Sequence, residues 1–368
     1  MRRLVVAGGV VLAGGISWAL DLWDALGVVW HPPRLGQQIP QGEFSPRSEE
    51  EAVLWVACSS PLPVEYNDRV RRSIHRFCGG EREIFRIWLA RSRRYLGIIR
   101  EVLRREGLPE DLAYLAMVES GFNPWAYSRA RAVGIWQLMR STAKRYGLRV
   151  DWWVDERRDP LSSSYAAARF LKDLYREFGD WRLAIAAYNC GPGRLRRAIR
   201  RAGTRDFWKL PLPRETSEYV PKFMAALTIS KFPEFFGFQE VTYEEPLRYE
   251  EVEVEGVMDL RVAARLVGRP YAELRALNPA LRRGYIPPCK YRLRIPEGTA
   301  ERFLGSYAQL SPQERVEWFR HRVRRGDTLW ELARAYRTSV RAIMEANRLS
   351  GSTIRPGQDL LIPGSPKG

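Results

Sequence analysis

The sequence predicts a mainly α chain: an all-helical domain over about residues 66–235, then two small βααβ modules. Three observations predict it. Apolar residues recur at helical spacing through the first block, and Gly or Pro punctuates nearly every gap between the periodic runs. The same block lacks convincing strand alternation. Beyond it the chain resembles itself at an offset of 69 residues, with Leu260, Ala264, Leu274 and Asn278 corresponding to Leu329, Ala333, Ile343 and Asn347.

The elements follow in order. Arg2 and Arg3 precede an uncharged run over residues 4–20, the pattern of an export signal, and Ser17-Trp18-Ala19 offers small residues for cleavage. The run also approaches the roughly 20 residues that span a bilayer, so a removed signal (1–20) and a retained inner-membrane anchor both stay open. Either way the chain is expected in the periplasm or cell envelope, with an anionic membrane surface as a partner of this segment. Residues 21–65 read as a lead-in. From 36 to 65 that stretch is rich in Pro, Ser and Glu without a sustained period, which suggests a tether. Helices are expected at about 66–77, 82–106, 109–120, 138–146, 162–178, 181–188, 194–202 and 215–231. The modules are expected at 248–297 and 320–364, each closing on a Pro-flanked apolar strand, near 291–295 and 359–362. A charged helical connector over 298–319 separates them.

Composition narrows the partners. A chain of 368 residues with 45% hydrophobic content can hold two or three domains and is no disordered tail. Its net charge of +17 attracts anionic partners: nucleic acid, lipid headgroups or an acidic wall polymer. Nucleic acid is not expected, because no helix-turn-helix or RNA-recognition signature is visible. Cys58, Cys78, Cys190 and Cys289 lack metal-ligand spacing, so no metal and no cofactor are expected. An oxidising compartment permits a Cys58–Cys78 bridge, and unpaired buried thiols remain the alternative.

One residue breaks the apolar pattern. Leu112, Leu115, Ala116 and Glu119 share a helix face, which puts a carboxyl group on the buried stripe. The helix opens at Pro109 and stops at Gly121, so Glu119 sits in the last turn, where the macrodipole is negative. Apolar surroundings and the dipole both favour the neutral acid, as a general-acid catalyst of glycoside cleavage requires. No second carboxylate stands out. Asp151, Asp155 and Asp159 lie in a Trp-rich turn segment, where loop solvation or Arg pairing is expected.

Glu119-Ser120, GIWQLM at 134–139, AYNCG at 187–191 and ETSEYV at 215–220 together resemble the successive signatures of lytic murein transglycosylases. NDRVRR at 67–72, GLPEDLAYLAMVESGFNPWAYS at 107–128 and WWVDERRDP at 152–160 are similar to the membrane-bound D type. The resemblance implies a lysozyme-like helical domain that cleaves the N-acetylmuramic acid to N-acetylglucosamine bond of peptidoglycan without water. By implication Glu119 acts as acid and then base, closing a 1,6-anhydro ring through the muramic C6 hydroxyl. Hydrolytic glycosidases use two carboxylates instead. A hydrolytic muramidase on this scaffold, or a silent peptidoglycan-binding protein, is the alternative.

Further residues carry over by position. Gln137 has an amide suited to the acetamido group or to Glu119, and Trp136 is expected to line the cleft. Tyr188 and Asn189 end a short helix before Gly191-Pro192-Gly193, which would deliver both to the cleft. Tyr219 is expected to orient the acid or the sugar, and Ser120 to bind Glu119 or substrate. Of Trp152 and Trp153, at most one is expected to stack on a sugar. Arg140 stands where many relatives have Pro, and Cys190 where Ala or Ser is common; neither removes chemistry. RRGDTLW at 324–330 resembles the opening of a LysM domain, which implies glycan contacts around Gly326, Asp327, Thr328, Leu329 and Asn347. The first module has EGVMDL at 255–260 instead, which favours a structural spacer.

Overall fold

The computed structural model describes residues 3–6, 9–12, 44–311, 314–315, 319–336 and 338–362. Near the N-terminus, Arg3–Val6 and Gly9–Leu12 pair as antiparallel strands β1 and β2. The rest of the expected signal and of the lead-in to residue 43 lies outside the described residues. No helix among the described residues is long and apolar enough to cross a membrane. The chain divides into two compact units: residues 1–142 with 160–246, and residues 143–159 with 247–368.

The first unit is helical: α1 (Glu49–Ser59), α2 (Asp68–Cys78), α3 (Arg82–Arg105), α4 (Tyr114–Ser120), α6 (Pro160–Phe178), α7 (Trp181–Cys190), α8 (Pro192–Ala202) and α9 (Arg214–Lys231). The short α5 (Arg140–Arg145) lies at the unit boundary. Caps set the starts. Asn67 accepts from the amides of Arg69 and Val70, and Asp180 from those of Arg182 and Leu183. The expected helix at 109–120 opens as a 3-10 turn over Glu110–Ala113 before α4 begins. Helix α9 is the axis of this unit. It is buried from Thr216 to Ile229 on nearly every face and packs against α1, α2, α4 and α7.

Helix α1 overturns the reading of residues 36–65 as a tether. Ser48 caps it through the Glu51 amide, and Ala52, Val53, Trp55 and Val56 are buried. The Trp55 ring meets Phe232, just past α9, at a centroid distance of 5.0 Å. All four cysteines are free, so the Cys58–Cys78 bridge is absent.

The second unit holds the two modules. In the first, β3 (Glu250–Val254) pairs antiparallel with β6 (Tyr291–Ile295), with Val252 opposite Leu293. Between them run β4 (Met258–Asp259), α10 (Leu260–Val267), α11 (Tyr271–Leu277) and β5 (Tyr285–Ile286). The expected connector is the helix α12 (Ala300–Gln309), but it is no spacer: Phe303 is wholly buried in the first module's core. Burying that ring contributes about 2–3 kcal/mol. In the second module β7 (Phe319–Arg322) pairs with β8 (Asp359–Ile362) around α13 (Leu329–Ala335) and α14 (Val340–Ala346).

The same clip closes both modules. Asn278 donates its amide to the Leu274 and Arg294 carbonyls and accepts from the Arg294 amide. Asn347 does the same with the Ile343 and Leu361 carbonyls and the Leu361 amide. A side-chain amide ties the second helix to the last strand, so the repeat expresses a shared hydrogen-bond need.

Residues 143–159, expected in the helical domain, belong to the second unit. The Asp155 amide donates to the Ala280 carbonyl and the Arg282 amide to that of Trp153. Trp153 and Val154 sit in the core with Leu281 and Leu293.

Candidate active site

Four chain segments converge through hydrogen bonds that form a closed circuit. The first is the end of α4. Gly121 closes that helix in the left-handed conformation (φ 58°), and a β-carbon there would lie 2.0 Å from Cδ1 of Trp88. Ser120 donates to the Ile135 carbonyl at 2.9 Å, joining α4 to the 134–139 turn. Tyr188 donates to the Trp136 carbonyl at 2.7 Å, joining the end of α7 to the same turn. From α9, Thr216 donates to Oδ1 of Asn189 at 2.8 Å and Tyr219 to Oε1 of Glu119 at 2.6 Å, which closes the ring. Every one of the four motifs contributes.

Glu119 is half-buried at the centre of this circuit. Burial pushes its carboxyl up to about 7, the charge of Glu215 adds to the rise, and the Tyr219 hydroxyl opposes it by stabilising the carboxylate. Burial and the Glu119 charge likewise hold both tyrosines neutral, well above the ordinary phenol range. A carboxyl poised between acid and base, gripped by a phenol that stays protonated, can give a proton and take one back near neutral pH. Changing Tyr219→Phe removes the group that favours the carboxylate. The alkaline limb of the rate profile is therefore expected to move to higher pH, with turnover reduced about tenfold; a limb that stays put in a full pH–rate profile would refute this role.

Gln137 sits in the left-handed region (φ 47°), costly for a residue with a β-carbon, and donates Nε2 to the Gly134 carbonyl at 2.8 Å. The residue is half-buried, and its amide oxygen accepts no hydrogen bond among the described residues. Asn189 is its complement: its oxygen is spent on Thr216, which leaves its NH2 group to donate.

Several expectations are corrected. Trp136 does not line a cleft; it is wholly buried, and its indole donates to Ser164 Oγ at 2.8 Å. Ser120 has its hydroxyl committed to the Ile135 carbonyl and the Asn123 amide, so it braces the site instead of meeting substrate. Trp153 packs in the second unit and donates to Glu345 Oε2 at 2.6 Å, while the Arg283 guanidinium lies over Trp152. Asp151, Asp155 and Asp159 pair with Arg149, Arg157 and Arg294, as Arg pairing predicts.

In the last module, Gly326 takes a positive φ of 98°, and Asp327 accepts from His321 Nε2 and the Arg324 amide, each at 2.7 Å. Thr328 and Glu331 form a capping box. Leu329 is buried and Asn347 is the clip described above, so both hold the module together and neither offers a free glycan contact.

Sequence reasoning missed Thr216 and Glu215. Thr216 and Tyr219 stand three apart on one face of α9, a spacing that was available to find Thr216. Glu215 had no signal of its own, because its influence on Glu119 arises only once α9 meets α4.

Comparison with known proteins gives the family. Residues 98–211 match the Transglycosylase SLT domain, 321–363 the LysM domain, and 248–312 the Lytic transglycosylase MltD, LysM-like domain. The last match includes α12, in keeping with the burial of Phe303. Membrane-bound lytic murein transglycosylase D of Escherichia coli (strain K12) is 31% identical over 331 residues, covering 84% of this chain and 72% of that protein. Peptidoglycan transglycosylase gp16 of Escherichia phage T7 is 39% identical over 104 residues, 27% of this chain and 8% of that protein. Among solved structures, the 70 kDa soluble lytic transglycosylase of Escherichia coli aligns over 39% of this chain and 25% of its own, with 25% identity and a TM-score of 0.31. With its helical site domain and both C-terminal modules matched in order, this chain belongs to the lytic murein transglycosylases, which act on peptidoglycan.

Proposed function

We propose that Glu119 carries the chemistry as acid and then base. Its proton goes to the glycosidic oxygen as the bond to the muramic anomeric carbon breaks. The C6 hydroxyl then bonds to that carbon and returns its proton to Glu119. Sugar donates the nucleophile, so no water enters and the new end is a 1,6-anhydro ring. The observation that carries this reading is the half-buried Glu119 carboxyl, pushed up to about 7 and held by Tyr219. The Gln137 oxygen and the Asn189 NH2 group would hold the acetamido group between an acceptor and a donor. Tyr188 keeps the turn that carries Gln137 in place.

The second module would hold the enzyme on the glycan. Export to the periplasm, with residues 4–20 anchoring the chain at an anionic membrane surface, is supported by the leader pattern and by the word "membrane-bound" in the relative's name. Mass spectrometry of digested sacculi tests the chemistry: anhydromuropeptides are expected. Reducing muramic ends alone would make Glu215 the candidate second carboxylate of a hydrolytic muramidase.

A further inference from the structure

We infer that α8 carries a subsite for a carboxylate of the peptide that hangs from the glycan, so the enzyme reads the substrate's peptide as well as its sugars. The inference rests on the chain acting on peptidoglycan and extends it to a part of the polymer that the Glu119 circuit does not touch.

Helix α8 reads PGRLRRAIRRA, with Leu195 and Ala198 buried. Gly193, Arg196, Arg197 and Arg200 recur at i, i+3, i+4 and i+7 and so share one face. That face forms the wall of a pocket of about 430 Å³, floored by Phe178 and Ile199. Its one acidic lining residue, Glu177, is already paired with Arg196 at 2.9 Å, and Arg205 donates to the Phe178 carbonyl. Arg197 and Arg200 are exposed and have no acidic partner among the described residues. Two uncommitted guanidinium groups above an apolar floor suit a carboxylate on a short aliphatic stem, and a guanidinium fork matches a carboxylate's geometry.

Three considerations select the occupant. The helix starts three residues after Asn189, so its first turn follows the catalytic segment directly along the chain. The glycan offers no free anion where the lactyl carboxyl is amidated, which leaves the peptide carboxylates as the substrate's negative charge. A lipid surface is disfavoured because α8 shows no large exposed apolar side chain to insert.

The test uses the full chain with Arg197→Gln and Arg200→Gln together, both at exposed positions that the fold tolerates. Activity is measured on peptide-bearing glycan and on the same glycan with its peptide carboxylates converted to amides, which removes the negative charge and leaves the peptide in place. The ratio of kcat/KM on the first to that on the second is expected to fall about tenfold, and the loss should shrink as salt is raised. An unchanged ratio overturns the inference. So does lost binding to phosphatidylglycerol vesicles with an unchanged ratio, which assigns the face to lipid. Product identity reports independently on Glu119: anhydro ends from both enzymes keep the mechanism intact even if the peptide subsite is refuted.

Discussion

Glu119→Gln is expected to lower kcat by about a thousandfold, because general acid-base catalysis typically supplies 10²–10⁴ and here one group performs both halves. The amide keeps the shape and can still meet Tyr219, so substrate binding should survive. The wild-type profile follows from the raised carboxyl. The free enzyme needs its proton, so kcat/KM should fall about tenfold per pH unit above about 7. Stability has the opposite sign from that of a paired carboxylate. A folded value of about 7 against 4.5 means the native state binds the extra proton between those limits, so the charge erodes stability as pH rises through them. Glutamine never ionises. The variant should therefore melt above wild type at pH 8 and alongside it at pH 4, by a margin on the order of 2–3 kcal/mol. Equal melting at both values in a calorimetric series would show that the side chain is well hydrated, and full turnover by the variant would remove it from the mechanism.

Gly121→Ala should be the most damaging small substitution near the site. The left-handed conformation costs about 1 kcal/mol for a residue with a β-carbon, and the new carbon would lie 2.0 Å from the Trp88 ring. Trp88 cannot retreat freely, since it packs against Phe77 and Phe85 at 5.7 and 5.8 Å. Together these predict a loss of about 3 kcal/mol in chemical unfolding, with activity falling further than stability because α4 carries Glu119. A double-mutant cycle with Trp88→Ala separates the two causes: most of the loss should vanish when the ring is gone, leaving the backbone cost. If the loss persists undiminished, the ring is not what makes glycine necessary.

Much of this was legible in the chain because period and punctuation are local. Gly and Pro bounded the helices within about two residues at most ends, and an acid on an apolar stripe marked Glu119 before any fold was known. What escaped depended on partners far along the sequence. Helix α1 has a contiguous apolar run in place of a stripe, so nothing in its period announced a helix; its burial comes from α9 and Phe232. Trp136 and Ser120 were read as substrate contacts because they adjoin Gln137 and Glu119. Adjacency says nothing about which way a side chain turns, and Ser164 and Ile135 decide that. Asn347 reads as a binding residue until its three backbone partners are seen.

The excursion of residues 143–159 into the second unit bears on how the protein can be cut. A truncation after residue 246 would fall at what looks like a clean domain boundary. It would strip Trp153 and Val154 of their core neighbours and leave them facing water beside an otherwise intact enzyme. The wall-cleaving half of this polypeptide is therefore no detachable cassette, and a shortened chain that dispenses with the tail inherits a sticky loop.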